Sequence, residues 1–315
     1  MKNVIQMNKG NEDKEVKEIF EEFIQYSQAK NLAKRTIGYY ENNFERFNEF
    51  LQNHSINYIS EIDPKTIQKF TLRLRSKIEN PKSINTILRA VRAFLYYAMK
   101  LDYLDDFKIE LLKTKDEIKE TYTSKELELL LEKPDLDECN FAEYRNWVMV
   151  NFFLGTGARL RSVRNVKIKD LDFENGYVQL KTTKNRRQQI IPLSIGLSDI
   201  LQEYLTYRSG KPEDWLFPTI HGGKLTSDGA GSAIRRYNLR RGVDKTSIHL
   251  FRHTFAKHWI LSGGDIFRLQ KILGHSSLDV VKEYANMFDE DLKKGFDDHN
   301  LLNQFIDNSK PIKLR

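Results

Sequence analysis

The sequence has little cysteine and no long apolar run, and each shortage excludes a class of protein. Cys139 is the only cysteine among the 315 residues, which excludes an internal disulfide framework and fits a reducing compartment. No stretch approaches the roughly 20 consecutive apolar residues that span a bilayer, and the N-terminal residues lack the apolar segment of a signal peptide. We therefore expect a soluble, cytoplasmic protein that has no membrane partner.

The sequence is rich in charge, with a positive excess. Charged residues make up 30% of the chain and hydrophobic residues 40%, which suits globular domains with real cores. The 51 lysines and arginines outnumber the 44 acidic residues, so the formal net charge is +7 at pH 7. A basic balance of this size favours a polyanionic partner such as a nucleic acid without proving one.

Helical periodicity dominates residues 15–107, which predict a small domain of about four helices. The residues that open or cap these helices are, in order, Val16, Thr36, Asp63 and Ser83. Residues 1–14 are polar and are expected to be a disordered N-terminus. On the fourth helix, Asn85, Arg89 and Arg92 fall opposite the apolar face. Such a stripe is usually a solvated face, but Arg89 and Arg92 are candidates for contact with DNA.

A second domain is predicted over 123–288, after a linker over 108–122 that is rich in Lys and Glu. Thr123 and Glu126 form a capping box, which restarts the helical pattern. A buried helix over about Tyr144 to Leu154 follows, and the glycines after it indicate a helix C-cap and a turn.

The periodicity then changes to that of strands. Asn175-Gly176 is typical of a tight hairpin, and a second, strongly basic turn over 181–187 follows it. These signals predict a three-stranded antiparallel sheet. Helical sequence resumes at Ser194, and a C-terminal helix or tail is expected over 289–315. The fold class is therefore predicted as mainly α with a small antiparallel β-sheet.

A set of polar residues late in the chain carries chemistry. His249, Arg252 and His253 lie close together in sequence, His275 follows Leu-Gly, and Tyr284 comes nine residues later. A phenol is a poor nucleophile at its free pKa of about 10. It becomes useful where cations surround the phosphate that it attacks and a neighbouring group takes its proton. The set therefore predicts attack on a phosphodiester without a metal.

Two further basic groups complete the set. Arg159 follows the glycines that end the buried helix, and Lys184 lies in the basic turn. A lysine in a turn is usually solvated, but on a hairpin tip it can also reach into a DNA groove and protonate a leaving oxygen. The basic residues beside these two are candidates for contact with DNA: Arg161, Lys181, Arg186 and Arg187.

In this order the residues resemble the signature of the tyrosine recombinases, the phage-integrase and Xer-like family of DNA strand-exchange enzymes. The signature consists of Thr156-Gly-Ala-Arg159, Lys184 eight residues before Pro192, His249-x-x-Arg252-His253, Leu273-Gly274-His275 and Tyr284. The resemblance covers about residues 15–300. It implies a two-domain, C-shaped clamp around duplex DNA, formed by a helical core-binding domain and a catalytic domain.

The resemblance also implies a role for each residue of the signature. Arg159 and Arg252 would bind the non-bridging oxygens of the scissile phosphate. Tyr284 would attack the phosphorus, leaving a 3′-phosphotyrosyl link and a free 5′-hydroxyl, with the hairpin lysine as general acid. His249 would assist proton transfer at the tyrosine, and His275 would hydrogen-bond the phosphate. Because the phosphodiester is stored covalently, no metal, ATP or other cofactor is implied.

By the same resemblance, four protomers would assemble on two specific core sites in double-stranded DNA and exchange strands through a Holliday junction. A partner recombinase or an accessory protein is possible. The segment 289–315 could dock on its own domain or on a neighbouring protomer, and the resemblance favours the neighbour.

One position departs from the family pattern. Tyrosine recombinases usually have an acidic residue three places after the first arginine, in an Arg-x-Ser-Glu pattern, whereas this chain has Arg159-Leu-Arg161-Ser162. Ser162 could still support the arginine by hydrogen bonding, but a charge partner for the nearby basic groups is missing. The departure bears on the rate of turnover rather than on the type of reaction.

Three alternatives remain beside this interpretation. A type IB topoisomerase would use much the same chemistry to relax supercoils without pairing two sites. A non-catalytic DNA-binding protein would share the basic surfaces without forming a tyrosyl link. Histidines four apart, such as His249 and His253, can share a metal, but the only cysteine is distant and no Glu stands between them as a metalloprotease requires.

Overall fold

Two units make up the chain, which divides between Asp116 and Glu117. The computed structural model describes residues 13–114, 120–181 and 188–274. Several predictions concern residues outside these ranges: the N-terminus up to residue 12, the turn that contains Lys184, Arg186 and Arg187, and everything from His275 onward, including Tyr284 and 289–315. No helix within the described ranges is long and apolar enough to cross a membrane.

The first unit is a bundle of four amphipathic helices. They are α1 (Val16–Ala29), α2 (Lys34–Gln52), α3 (Pro64–Lys77) and α4 (Pro81–Lys100). Aromatic rings fill the centre: Phe20 stacks on Phe44 with ring centroids 3.6 Å apart, and both meet Phe94 edge-on. Aromatic side chains bury large areas, and such pairs add stabilisation beyond their area. The predicted helical domain is therefore built around an aromatic core.

Local capping chemistry sets where these helices begin. Asp63 accepts a hydrogen bond from the backbone N–H of Thr66 at 2.7 Å, which confirms the predicted start of α3. The predicted start of α4 at Ser83 is wrong, because Asn80 caps the helix and Pro81 occupies its first position. The prediction for α2 is also three residues late, since the helix begins at Lys34 after Ala33 and not after a Thr36 cap.

The predicted N-terminal segment ends inside the first unit. Lys14 binds Glu22 at 2.7 Å and lies 4.7 Å above the ring centroid of Tyr103. The prediction of disorder is therefore wrong for this last part of 1–14. A lysine can join the bundle in this way because its apolar stem packs on a ring while its charge reaches an acid.

Asn85 does not share the solvent-facing stripe predicted for α4. It is only 3% exposed, and its side chain makes two hydrogen bonds with the backbone of Leu112, at 2.9 and 2.8 Å. Ile109 is buried against the same bundle. A buried amide that satisfies both groups of one distant residue fixes the path of the chain. The segment 108–122, predicted as a linker, is thus packed onto the bundle at its beginning.

The other described end of that segment is packed into the second unit. Tyr122 donates its backbone N–H to the Thr254 hydroxyl at 2.9 Å, and its ring lies against Phe251 with centroids 4.9 Å apart. Its own hydroxyl donates to the Lys245 carbonyl at 3.1 Å. Burial of this phenol raises its pKa above the usual value. Tyr122 is therefore packed into the second unit and is not part of a linker.

The second unit is mostly helical and contains one small sheet, as predicted. Its elements are α5 (Ser124–Leu131), α6 (Phe141–Thr156), α7 (Leu160–Val163), β1 (Leu171–Asp172), β2 (Tyr177–Leu180), β3 (Gln189–Pro192), α8 (Ile195–Arg208), α9 (Ser227–Arg240), α10 (Ile248–Leu261) and α11 (Ile266–Leu273). The strands are antiparallel in the order β1-β2-β3, and Val178 pairs with Leu171 and with Ile191. The Thr123–Glu126 capping box is present, which confirms the predicted start of α5.

Helix α6 is the centre of the second unit. It contacts α5, α8, α9 and α10, and Val148, Met149 and Val150 are fully buried in consecutive positions. A helix that is apolar on every side must be enclosed by other elements. The buried helix predicted over this segment is therefore confirmed.

The first hairpin of the sheet has a longer turn than the Asn-Gly pair predicts. Asp172 pairs with Tyr177, so four residues, 173–176, connect β1 to β2. The Asp172 carboxylate accepts from the backbone and from the side chain of Asn175, both at 2.9 Å, and Gly176 has a positive φ of 69°. The carboxylate organises the turn, and glycine completes it where other residues would be strained.

Candidate active site

The end of helix α6 creates the close packing on which the candidate site is built. Gly157 follows the helix with a φ of +60°, the left-handed conformation that favours glycine. A Cβ atom there would lie 2.5 Å from Phe255 and 2.9 Å from Leu273. The predicted helix C-cap is thus confirmed, and it brings the ends of α6 and α11 close to α10.

Arg252, on α10, binds the C-terminal ends of two helices. It is 5% exposed, and its guanidinium donates to the carbonyl of Gly157 at 2.8 Å and of Leu273 at 2.7 Å. Gly157 caps α6 and Leu273 is the last residue of α11. The carbonyl ends of helices carry partial negative charge and stabilise a cation. These contacts hold a buried positive charge in one orientation.

Arg159 lies beside this guanidinium. It is half-buried at the N-cap position of α7, and its Nη1 donates to the same Leu273 carbonyl at 3.2 Å. Because both arginines bind one oxygen atom, their guanidinium groups lie side by side although they come from distant parts of the sequence. Two neighbouring guanidinium groups present several donors and a concentrated positive charge, which suits a phosphate group.

The end of α11 leads directly into the remaining predicted residues. Gly274 caps this helix in the left-handed conformation. His275 is the next residue, and Tyr284 comes ten residues after Gly274. Both lie outside the described residues, as does Lys184. The structure therefore brings together the two arginines at the point where the chain continues to the predicted histidine and tyrosine.

His249 lies on the same helix as Arg252, one turn earlier. It is exposed in the first turn of α10, and residues three apart on a helix are neighbours on its surface. His253 is half-buried on the following turn. Within the ranges that the structure describes, no group of three or more His, Cys, Asp or Glu side chains is arranged to hold a metal ion.

Ser162 occupies the position where the resemblance leads one to expect an acidic residue. It is 5% exposed on the short helix α7, and its backbone N–H donates to the Arg159 carbonyl at 2.8 Å. Arg161, one residue earlier, is exposed. The short helix therefore directs the serine inward and its neighbouring cation outward.

The remaining candidates for contact with DNA occupy different surroundings. Arg89 is exposed on α4, whereas Arg92 is half-buried with its guanidinium 6.0 Å from the ring centroid of Tyr96. Lys181, at the end of β2, binds the carboxylate of Asp170, which is only 3% exposed. The buried Asp170 therefore holds the end of β2 in place through Lys181. The sequence analysis does not predict this contact.

A basic patch lies beside Trp215 on the second unit. Its cations are Lys167 and Lys224 at the ring, Lys169 on the shared acid Glu213, and Arg161 and Arg164 near Lys224. The ammonium groups of Lys167 and Lys224 lie 5.4 and 4.4 Å from the Trp215 ring centroid. Glu213 binds Lys167 at 3.1 Å and Lys169 at 2.6 Å. Burial, followed by repulsion from Arg164 and Arg161, lowers the pKa of Lys224. An anion bound at this side of the patch would relieve that repulsion.

Gln189 is the second residue of the site that sequence reasoning missed. Its amide, at the start of β3, donates to the carbonyl of Lys271 at 2.9 Å and to that of Ile272. No local pattern predicts this contact, because a glutamine at a strand end is common and its partners lie more than 80 positions later in the sequence. Only the folded chain brings them together.

Two family models match the chain. The phage integrase family matches residues 120–291, and the phage integrase N-terminal SAM-like domain matches residues 20–101. Among the curated relatives, the tyrosine recombinase XerD of Staphylococcus epidermidis is 28% identical over 290 residues, covering 88% of this chain and 96% of the relative. XerD of Staphylococcus haemolyticus is 29% identical over 279 residues, covering 85% and 94%.

Solved structures share the fold. The XerH site-specific recombinase bound to palindromic difH substrate, in a post-cleavage complex, matches with a TM-score of 0.71 at 21% identity, covering 88% of this chain and 82% of that one. A lambda integrase dimer bound to a COC′ core site matches with a TM-score of 0.70 at 14% identity, covering 88% and 98%. Since the phage integrase model alone spans more than half of the sequence, the chain belongs to the phage integrase family and is an Xer-like tyrosine recombinase, an enzyme of site-specific DNA recombination.

Proposed function

We propose that this recombinase cuts and rejoins duplex DNA through a 3′-phosphotyrosyl intermediate and a Holliday junction, without metal or ATP. The observation that carries the proposal is the pair of guanidinium groups of Arg159 and Arg252 on one carbonyl at the end of α11. Phosphodiester cleavage builds negative charge on the non-bridging oxygens, and fixed cations at that place stabilise the transition state.

In the proposed cleavage step, one bond to phosphorus forms as another breaks, and each proton has a donor and an acceptor. The phenol oxygen of Tyr284 attacks the phosphorus, its proton passes to His249, and the bond from phosphorus to the 5′-oxygen breaks. Lys184 gives a proton to that oxygen, and His275 donates a hydrogen bond to the phosphate. Rejoining is the reverse reaction with the 5′-hydroxyl of another strand. The number of phosphodiester bonds is conserved, so the exchange consumes no ATP.

The partner in this proposal is double-stranded DNA that contains specific core sites. We propose that residues 15–107 are a core-type DNA-binding domain and that residues 123–288 are the catalytic domain. The exposed Arg89 and the cations of the basic patch supply contacts to phosphates, which contribute affinity independent of sequence. The single cysteine, Cys139, fits action in the reducing cytoplasm.

A covalent adduct on Tyr284 tests the chemistry. The protein is incubated, in EDTA, with fragmented genomic DNA and with nicked substrates that lose the strand end needed for rejoining. Denaturing gels and mass spectrometry are expected to show DNA attached to Tyr284, and the Tyr284→Phe variant is expected to show none. Sequencing the attached DNA identifies the site. An adduct that survives in the variant, or a cleavage that requires metal, would refute the mechanism.

The same captured site separates recombination from topoisomerase activity. Plasmids that carry two copies of the site are expected to recombine, whereas relaxation of a plasmid that lacks the site would support the topoisomerase alternative. We also propose that four protomers assemble on two sites, with residues 289–315 docking on a neighbour. A truncation at Asn286 that left assembly on DNA intact, measured by mass photometry, would contradict that docking.

A further inference from the structure

A cavity of about 160 Å³ lies between helices α6 and α9 of the second unit. Its walls come from the start of α6, over 140–146, and from the end of α9 and the next residue, over 233–241. The arginine pair of the candidate active site lies at the opposite end of α6, beside Gly157. With a rise of about 1.5 Å per residue, the helix separates Arg145 from Gly157 by roughly 18 Å. The cavity is therefore distinct from the candidate active site.

Positive charge dominates the lining of this cavity. One glutamate lines it, Glu143, together with four arginines: Arg145, Arg236, Arg240 and Arg241. Arg241 binds Glu132 at 3.3 Å. Arg236 and Arg240 are exposed, and neither makes an ion pair within the described part of the chain. Because they are four residues apart on α9, their like charges are neighbours and repel each other. An anion bound between them would relieve that repulsion.

Arg145 adds a buried cation for which the described residues supply no acidic partner. It is 4% exposed, and its guanidinium makes three hydrogen bonds. Two of them go to the side-chain oxygen of Asn146, at 3.3 and 2.9 Å, and one goes to the Pro218 carbonyl at 2.7 Å. A guanidinium has five N–H groups, so the remaining two have no acceptor among the described residues. Burial lowers the pKa of Arg145, and a nearby anion would offset the cost of burying its charge.

We propose that this cavity binds a phosphate group, at a site separate from the scissile phosphate. The arginines come from two helices, and a tetrahedral phosphate presents oxygens in several directions, whereas a carboxylate has only two. Planar guanidinium groups also match the geometry of phosphate. The start of α6 adds to the attraction, because the N–H groups at a helix N-terminus favour negative charge.

The inference goes beyond the proposed function and does not depend on the cleavage chemistry. A phosphodiester of the DNA backbone and a free phosphate ester both carry the group that the cavity fits. The experiment below separates these two sources.

Hydrogen–deuterium exchange of the full-length protein, followed by mass spectrometry, tests the site. Exchange is measured with inorganic phosphate, with chloride at the same ionic strength, with oligoglutamate and with a random-sequence DNA duplex. The first N–H groups of α6 are suitable reporters, because a helix start gives them no intrahelical acceptor. The test variant combines Arg236→Gln with Arg240→Gln. Arg235→Gln is the matched control, since Arg235 is exposed on the same helix and does not line the cavity.

We expect phosphate to slow exchange over 140–146 more than chloride does. The double variant is expected to need at least about tenfold more phosphate for the same protection, equal to about 1.4 kcal/mol, because charge-assisted hydrogen bonds are lost. Arg235→Gln is expected to match the wild type.

The DNA duplex identifies the source of the phosphate group. Protection over 140–146 by the duplex, lost in the double variant, would assign the cavity to a phosphodiester of DNA. Protection by inorganic phosphate alone would assign it to a free phosphate ester. Equal effects of phosphate and chloride without protection by DNA, protection by oligoglutamate alone, or protection that persists in the double variant would each overturn the proposal.

Discussion

Replacing Arg252 by lysine separates the geometry of the guanidinium from its charge. Arginine donates at once to the carbonyls of Gly157 and Leu273, at 2.8 and 2.7 Å. A lysine keeps the positive charge but ends in a single nitrogen, which cannot span two carbonyls that face a planar fork. We therefore expect the Gly157 carbonyl to lose its charged donor in the buried site, while Arg159 still serves Leu273.

The expected loss of stability follows from that one contact. A hydrogen bond to a charged group contributes about 1.5–3 kcal/mol, and leaving its partner buried without a donor costs a similar amount. Arg252→Lys is therefore expected to lower the free energy of unfolding of the second unit by about 2 kcal/mol. Cleavage of the nicked substrate is expected to fall by about two orders of magnitude, as for the loss of one fixed donor to a developing oxyanion.

Tryptophan fluorescence isolates this unit, because all three tryptophans of the chain, Trp147, Trp215 and Trp259, lie in it. Urea unfolding followed at these residues gives the change, and the exposed Arg235 of α9, replaced by lysine, is the matched control. An Arg252→Lys midpoint equal to that of the wild type would refute the account of the two carbonyls. So would an equal shift in the Arg235→Lys protein.

Three further outcomes test other parts of the structure. Gly157→Ala is expected to destabilise the second unit by about 2–4 kcal/mol, because it combines a positive φ with overpacking against Phe255; an unchanged urea midpoint would contradict this. Lys224→Ala is expected to lower the slope of log affinity against log salt for DNA binding by about 1, and an unchanged slope would remove this residue from the DNA contact. Hydrogen bonds from the Thr66 hydroxyl and the Thr66 backbone N–H lower the pKa of Asp63. The stability that the ionised Asp63 contributes is therefore complete above the unfolded pKa of about 3.9. It is lost as pH falls through the lower folded pKa. Asp63→Asn is expected to flatten the stability of the first unit in that acidic range by circular dichroism, and a profile identical to the wild type would count against the cap.

Local signals allowed the sequence to predict much of the fold. The Asp63-Pro64 start and the Thr123–Glu126 capping box are contained within a few residues, and both are present in the structure. Asn85 was assigned to the wrong side of α4 because its partner, Leu112, lies 27 residues away and no local periodicity reveals it. This error arises because a polar side chain bonds a distant backbone, whereas the wrong starts of α2 and α4 arise because several neighbouring residues could begin each helix.

The candidate site also contains some residues that a local motif predicts and others that no local motif predicts. Arg159 and Arg252 were identified because their motifs are short and ordered along the chain, and the structure brings their guanidinium groups together. Gln189 and Asp170 belong to no such motif. Gln189 bonds the end of helix α11 and Asp170 bonds Lys181, and only folding brings these partners together. The roles of all six residues of the signature, Arg159, Lys184, His249, Arg252, His275 and Tyr284, stay predictions.

The packing of Tyr122 means that a force on the chain where it enters the second unit acts on specific elements of that unit. Its backbone is bonded to Thr254, one turn before His258 and two residues after Arg252 on α10. Tension applied through residues 120 and 121 therefore acts on Lys245, in the loop between α9 and α10, and through Tyr122 on α10, the helix that carries Arg252.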